Sequence, residues 1–257
     1  MKIGVIRQEK ATEVYSTCSI ETFLERVKKE NKGRYISQLR DKLPSLQGSG
    51  ARFVHIDRIP RICPVAEFRR TRDGSWKFKR YNGVVLVEVD NLSGLAEAEF
   101  VKQKAALLPQ TFAALVGASG RSVKIWVRFS LPDGTLPATE EQASLFHAQA
   151  YRVAVQCYQP LIPFPVTLKE PSLRQGFRMT VDEAPYYHPE AAAFCLEQPV
   201  GLSDGTSFRE QKLAEKNPLA RMEPSSGSYH TLTVMFQAAL RRALDTLENW
   251  RRGDDLT

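Results

Sequence analysis

Apolar positions recur along the chain at two different periods, and these periods separate predicted helices from predicted strands. A spacing of three and four residues predicts helices at residues 19–30, 93–109, 138–160 and 229–250. Ser19 can cap the first of these helices, and Thr139 with Gln142 forms a capping-box pair at the third. Between the first two helices, a polar, glycine-containing stretch extends to about residue 51.

Shorter apolar runs with alternating polarity predict strands. They are RFVHI (52–56), SWKFKR (75–80), VVLVEVD (84–90), FAALVG (112–117), SVKIWVRF (122–129) and GFRMTVD (176–182). The Asn82-Gly83 pair predicts a hairpin between the second and third of these strands, and the ASGR turn joins the fourth to the fifth. Residues 84–87 are apolar on both faces, which predicts that their strand is central in the sheet.

The order of these elements predicts an α+β fold, because hairpins are followed by long helices. The expected architecture is an antiparallel or mixed sheet with helices packed mainly on one face. Residues 1–200 are expected to form this domain, residues 201–228 a polar linker, and residues 229–257 a C-terminal amphipathic helix.

The charge of the chain points to a class of partner. The 257 residues carry a formal net charge of +7. Such a surplus favours a polyanionic partner, of which nucleic acid is the commonest.

Cysteine spacing and hydropathy indicate the compartment. Cys18, Cys63, Cys157 and Cys195 lie too far apart for a Cys-x-x-Cys metal clip, so reduced thiols are expected. The first residues lack the apolar core of a secretory signal, and no segment approaches the roughly 20 apolar residues of a membrane helix. These features predict a cytoplasmic protein without a membrane partner.

One face of the predicted sheet collects acids and bases. Alternation places Glu88 and Asp90 on the same face of their strand, at its C-terminal end. If the apolar faces pack on helices, the open face holds Glu88, Asp90, Lys124, Arg128, Arg178 and Asp182. Carboxylates there can bind Mg²⁺ or Mn²⁺, and the cations can bind phosphates, as nucleotidyl transfer requires. The alternative is a face of structural ion pairs, such as Glu88 with Lys124, or Asp90 with Lys124 or Arg178.

Two other segments carry candidate binding chemistry. The turn GASGRS (117–122) combines small residues with Arg121, which suits the approach of an anion to backbone N–H groups. The run FRRTRDGSWKFKR (68–80) alternates aromatic rings with cations, a combination found in sites for single-stranded nucleic acid. Its candidate contact residues are Arg69, Arg70, Arg72, Lys77, Lys79 and Arg80. Since Trp76 and Phe78 point away from Lys77 and Lys79, these rings are alternatively part of the core.

Three stretches together resemble a known family. They are LVEVDNL (86–92), GASGRSVKIWVRF (117–129) and LKEPSLRQGFRMTVDEAPYYHPEA (168–191). As a set they resemble the VirE N-terminal-domain family of Bacteroides-type bacteria, which is placed with the archaeo-eukaryotic primase–polymerase superfamily. The resemblance extends from about residue 42 to residue 199.

This resemblance implies a metal-dependent DNA primase or polymerase that acts in the replication of mobile elements. Glu88-Val89-Asp90 corresponds to the superfamily's Asp-x-Asp motif, and Ser119-Gly120-Arg121 to its Ser-x-His turn. The implied catalytic and Mg²⁺ or Mn²⁺ ligands are therefore Glu88, Asp90 and Asp182, with Glu170 as an alternative third acid. The implied nucleotide-binding residues are Ser119, Gly120, Arg121, Lys124 and Arg178. The implied partners are single-stranded DNA or a primer–template, with any helicase a separate protein.

Departures from the superfamily motifs leave other functions open. Glu88 replaces an aspartate, and Lys124 stands where a histidine is expected. A catalytically degenerate nucleic-acid-binding module of the same fold is therefore the main alternative, and a metal-dependent nuclease that uses the same acids is a third.

Overall fold

The computed structural model describes residues 1–9, 12–30, 32–49, 52–72 and 74–198. By their contacts the described residues belong to one compact unit, which is bounded at Met1–Ser203. The predicted linker (201–228) and C-terminal helix (229–257) lie outside the described residues.

The described residues form an α+β fold, as the order of predicted elements indicates. The strands are β1 Lys2–Glu9, β2 Thr12–Ser19, β3 Arg61–Cys63, β4 Ala66–Arg70, β5 Trp76–Tyr81, β6 Val84–Val89, β7 Thr111–Val116, β8 Val123–Ser130, β9 Phe177–Arg178, β10 Tyr186–Tyr187 and β11 Phe194–Cys195. The helices are α1 Ile20–Val27, α2 Tyr35–Ser49, α3 Leu95–Ala105 and α4 Glu140–Tyr158, with single 3₁₀ turns at Ile56–Arg58 and Gln159–Leu161.

Three of the helices confirm the periodicity of the sequence. At α1, the Ser19 hydroxyl accepts a hydrogen bond from the Thr22 N–H at 3.2 Å. At α4, the capping box is complete: Thr139 accepts from the Gln142 N–H at 3.2 Å, and Gln142 accepts from the Thr139 N–H at 3.4 Å. Helix α3 ends at Ala105, before Pro109.

Helix α2 falls where a polar connection was expected. Its apolar residues lie at positions 36, 39, 43 and 46, which is helical spacing, and Ile36 and Leu39 are buried. The polar, glycine-containing composition suggested a connection, yet the helix continues through Pro44. Packing of the apolar stripe outweighs the local preference of proline here.

The first sheet is built around the N-terminal hairpin, with strand order β2-β1-β3-β9 and antiparallel pairing throughout. Strand β9 is the predicted strand 176–182, and it is shorter than expected, since only Phe177–Arg178 pairs. The predicted strand at 52–56 is absent, and a 3₁₀ turn begins at Ile56 instead.

The second sheet places β8 at its centre, paired on its two edges with β7 and β6. Strand β10 pairs with β7, and β11 joins the end of β8 in parallel. The prediction that β6 is central was wrong, because β8 is its only strand partner among the described residues. All six residues of β6 are nevertheless buried. Its outer carbonyls accept hydrogen bonds from irregular segments: Glu88 from the Thr167 N–H at 2.8 Å, and Leu86 from the Gln175 amide at 3.1 Å.

The Asn82-Gly83 pair does not form the predicted hairpin between β5 and β6. Strand β5 pairs with β4 instead, and the chain crosses at Gly83 (φ +64°) to the second sheet. Asn82 secures the crossing, since its side-chain amide donates to the Lys2 and Pro64 carbonyls at 2.9 and 2.8 Å. The predicted β7–β8 hairpin, in contrast, is confirmed.

A cluster of aromatic rings packs the second sheet against elements of the first. Trp126 of β8 stacks on Phe23 of α1 with ring centroids 5.5 Å apart, and it meets Phe177 of β9 edge-on at 6.1 Å. Phe23 and Trp126 are both buried. By alternation along β8, Lys124 lies on the same face as Trp126, so this contact also covers the charged face predicted to be open.

The cysteines and the helices can be compared with the sequence-based expectations. All four cysteines are free thiols. No helix in the described part of the chain is long and apolar enough to cross a membrane.

Phe23 offers a test of this packing. Phe23→Ala should lower the free energy of unfolding by about 3–5 kcal/mol, because it leaves a cavity against Trp126. Phe100→Ala on α3 removes the same side chain from an exposed position and should cost less than about 1 kcal/mol. Urea denaturation of the two variants measures both values, and equal losses would contradict the proposed contact.

Candidate functional site

The pairing of β6 with β8 sets Glu88 directly opposite Lys124. Both residues are buried. The Lys124 ammonium donates to Glu88 Oε2 and also to Asp90 Oδ1, the latter at 2.8 Å. One ammonium group therefore lies between the two carboxylates that the sequence suggested as metal ligands.

A second lysine reaches the same carboxylate from outside the sheet. Lys169 Nζ lies 2.6 Å from Glu88 Oε1, an ionic contact without hydrogen-bond geometry. Its segment is held at β6 by Thr167, whose hydroxyl accepts from the Asp90 N–H at 3.1 Å. The cluster thus contains two carboxylates and two ammonium groups.

Asp90 is the most accessible acid of this cluster, with 27% of its side chain exposed. Partial burial would raise the pKa of Asp90, but the Lys124 and Lys169 ammonium groups and the Thr167 hydroxyl hold this pKa below its ordinary value. Asp90 is therefore ionised at neutral pH and forms part of a charge-balanced cluster.

Asp182, the predicted third acid, has a different set of partners. It is buried, and Lys102 of α3 lies 3.0 Å from both of its oxygens. Its carboxylate also accepts from the N–H groups of Val116 and Ala184 at 2.8 and 3.1 Å. These bonds anchor the segment after β9 to the end of β7, which is a structural role.

The residues present do not fit the divalent ion that the resemblance implies. Lys124 occupies the space between Glu88 and Asp90, and the cluster's charges already balance, so an added Mg²⁺ or Mn²⁺ would leave two uncompensated positive charges. Glu170, the alternative third acid, is exposed. Among the described residues, no group of three or more His, Cys, Asp or Glu side chains is placed to hold a metal ion.

The turn at 117–122 uses its polar groups within the protein. The N–H groups of Gly117, Gly120 and Arg121 donate to Ser122 O, Gly117 O and Ser119 Oγ at 2.7, 2.9 and 3.2 Å. Gly120 adopts φ +72°, a conformation that favours glycine.

Two arginines hold this turn in place. Arg121 donates to the Leu92 carbonyl at 2.9 Å, which ties the turn to the segment after β6. Arg40 of α2 donates to the carbonyls of Ala118 and Gly117 at 3.2 and 3.3 Å. The turn that was expected to bind phosphate is thus a connection between β7 and β8 that is held by hydrogen bonds within the protein.

The remaining cations of the predicted face are separated from the cluster. Arg178 belongs to the first sheet, where it donates to the Ile59 carbonyl at 2.8 Å and lies 3.5 Å from Asp57. Arg128 lies over the Phe112 ring and donates to the Pro189 carbonyl at 3.3 Å.

The basic run forms the β4–β5 hairpin, and its cations fall into two groups. Lys79 and Arg80 contact the buried carboxylate of Glu67, and Arg70 donates to the Glu13 carbonyl at 2.8 Å. The others are exposed and make no ion pair with another described residue: Arg69, Arg72 and Lys77. Arg69 and Lys77 face each other across the hairpin.

The aromatic rings of this hairpin pack inward. Trp76 contacts Tyr15 edge-on at 4.9 Å, and Phe78 contacts Phe68 in the same way at 6.1 Å. The structure therefore favours the interpretation of these rings as packing residues and leaves the cations as the accessible feature.

Sequence periodicity missed the two lysines that complete the ion pairs. Lys169 lies in an irregular segment, and Lys102 is a buried position on a helix whose sequence is rich in lysine and glutamate. No local pattern marks either residue as a partner of a distant acid. The pairs of Glu88 with Lys124 and of Asp90 with Lys124 were among the sequence-based alternatives, and both are present.

These features define an α+β domain with a buried carboxylate–lysine cluster and an exposed basic hairpin. The chain belongs to the family described as "BT4734-like, N-terminal domain", whose model matches residues 54–187, more than half of the sequence. The match begins before β3 and ends with β10, so it covers both the cluster and the hairpin. No curated protein and no solved structure matches the chain.

The ion pair of Asp90 predicts an acid-dependent contribution to stability. Because the folded-state pKa is lowered, this contribution is present above the unfolded pKa of about 3.9 and is lost as the pH falls through the folded value. Asp90→Asn should lower the free energy of unfolding by about 1 kcal/mol at neutral pH. The difference from wild type should shrink below about pH 4.

Urea denaturation at neutral and acidic pH measures this effect. Asp41→Asn, at an exposed acid of α2, serves as the control and should match wild type at both pH values. Equal stability of wild type and Asp90→Asn at neutral pH would show that the ion pair of Asp90 does not stabilise the fold.

Removal of Lys124 should allow the carboxylates of Glu88 and Asp90 to bind a metal ion. Lys124→Ser leaves the buried Glu88 with Lys169 alone, so we expect a loss of about 3–5 kcal/mol at neutral pH. Mn²⁺ should raise the melting temperature of this variant but not that of wild type, because only the variant has free space between the acids.

The double variant Lys124→Ser, Glu88→Gln is the matched control, since it lacks one of the two ligands and should lose the rescue by Mn²⁺. Thermal melts with and without MnCl₂ give the comparison. A wild-type protein stabilised by Mn²⁺ to the same extent as Lys124→Ser would show that Lys124 does not block the site.

Proposed function

We propose that this chain is a primase–polymerase-like domain that binds single-stranded DNA or a primer–template without catalysing nucleotide transfer. The observation that carries the proposal is the Lys124 ammonium between Glu88 and Asp90. Nucleotidyl transfer relies on metal ions to neutralise the charge that develops on the phosphates. The Lys124 ammonium occupies the place of such a metal ion, and an ammonium group cannot coordinate and activate a 3′-hydroxyl as a metal ion does. We therefore assign the cluster a role in the stability of the fold.

The β4–β5 hairpin is the proposed contact surface for DNA. Arg69 and Lys77 lie opposite each other on neighbouring strands, and Arg72 occupies the connecting turn. These exposed cations form no ion pair with another described residue, so they are available to neutralise phosphates. Lys79 and Arg80 also leave a net positive charge, since these two cations share the single carboxylate of Glu67.

The proposal is consistent with replication of mobile elements, in which a helicase would act alongside this domain. In that setting the domain would hold single-stranded DNA or a primer terminus through its backbone. Phosphate contacts position a protein on DNA but carry little sequence information, so we expect weak dependence on sequence.

The hairpin yields a direct test. Wild type should bind a labelled single-stranded oligodeoxynucleotide with an affinity that falls as salt rises, because bound counterions are released. Arg69→Ser, Lys77→Ser should weaken binding and reduce the slope of log affinity against log salt by about 0.7 for each lost contact. Fluorescence anisotropy across a salt series measures both quantities.

A matched variant separates the hairpin from net charge. Lys42→Ser, Arg152→Ser removes the same charge from exposed positions on α2 and α4 and should bind nearly as wild type does. Equal weakening in both double variants would assign the effect to overall charge, and unchanged binding in the hairpin variant would exclude the hairpin as the interface.

Catalysis is tested separately, with a primer–template, labelled nucleotides and Mn²⁺. We expect no incorporation by wild type. Incorporation that is abolished in Asp90→Asn would overturn the non-catalytic proposal in favour of a nucleotidyltransferase.

A further inference from the structure

A second basic region surrounds a pocket in the first sheet. This pocket has a volume of about 450 Å³ and lies between β1, β3, α1, the start of α2 and residues 179–181. Small-molecule sites commonly occupy roughly 300–1,000 Å³, so the volume suits a ligand of nucleotide size. Neither the Lys124 cluster nor the β4–β5 hairpin contributes to its lining.

The rim of the pocket is cationic. Arg7, Arg26, Lys29 and Arg58 line it, and all are exposed. None of them forms an ion pair with another described residue. Arg7 and Arg26 line the pocket together with Cys18.

The single acid in the lining is committed to another role. Glu30 Oε1 accepts from the N–H groups of Ile36 and Ser37 at 2.8 and 2.9 Å, and Glu30 Oε2 accepts from the Ser37 hydroxyl. Glu30 thus caps the first turn of α2. Four rim cations against this one carboxylate leave a surplus of positive charge at the pocket.

The floor of the pocket is apolar. Val5, Phe23, Ile59 and Ile62 contribute to it, and Tyr35 stands at the wall. A flat ring fits such a surface, whereas a bare inorganic anion would leave it uncovered. Several phosphate charges match several rim cations better than one charge would.

We propose that this pocket binds a nucleoside polyphosphate, with the phosphates at the Arg7–Arg26–Lys29–Arg58 rim and the ring on the apolar floor. Arg7, Arg26 and Lys29 lie before residue 54, outside the region that the family model matches. Three of the four rim cations therefore lie outside the matched region, and none of the four belongs to the proposed DNA contact.

ATP serves as the first probe, with adenosine and pyrophosphate as its two halves. ATP should bind more tightly than either half, because only ATP occupies both the rim and the floor. Arg26→Ser, Arg58→Ser should weaken ATP binding by about tenfold or more, since charge-assisted hydrogen bonds are lost. Calorimetric titration measures these affinities on the full chain.

Two controls define the site. Lys42→Ser, Arg152→Ser should retain ATP binding, as should the hairpin variant Arg69→Ser, Lys77→Ser. If pyrophosphate binds as tightly as ATP, or if all three double variants lose ATP binding equally, the proposed pocket is wrong.

Cys18 provides an independent readout because it lines the pocket, whereas the exposed Cys195 does not. ATP should slow alkylation of Cys18 by iodoacetamide without changing alkylation of Cys195, as followed by mass spectrometry of peptides. Equal rates at Cys18 with and without saturating ATP would overturn the assignment.

Discussion

The structure depends on a buried carboxylate, Glu88, that must have a cationic partner. An unpaired charge inside a protein costs several kcal/mol, and Glu88 lies in a strand of which every residue is buried. Lys124 supplies the partner because the β6–β8 register places it directly opposite. A slip of this register by one residue would turn Glu88 to the other face of the sheet and separate the pair. The ion pair and the register therefore support each other.

The same pairing of buried acids with basic side chains recurs elsewhere in the fold. Asp182 binds Lys102 and anchors the segment after β9, and Glu67 binds Lys79 and Arg80 in the hairpin. In each case the carboxylate holds two separate stretches of chain together. The acids that looked available for chemistry thus serve the architecture.

Two groups of exposed cations in the described part of the chain have different surroundings. The β4–β5 hairpin presents its cations on an exposed ribbon, which suits an extended polyanion. The N-terminal pocket places its cations around an apolar floor, which suits a compact ligand. Under the two proposals, a small phosphorylated ligand and DNA would bind at separate surfaces. The Lys124 cluster lies in neither surface, so substitutions in it should affect binding only through the stability of the fold.

The sequence alone determined the local elements: the caps at Ser19 and Thr139, the β7–β8 hairpin, the burial of β6 and the basic character of residues 68–80. It also raised the Glu88–Lys124 pair as one of two alternatives, because alternation fixes which side chains share a face. Tertiary structure decided between them, since the identity of a strand's neighbour and the approach of Lys169 and Lys102 depend on contacts between distant segments. It also decided that Asn82-Gly83 joins two sheets and that α2 forms through Pro44. Local pattern records the preferences of a segment, whereas the partner of a buried charge is set by packing.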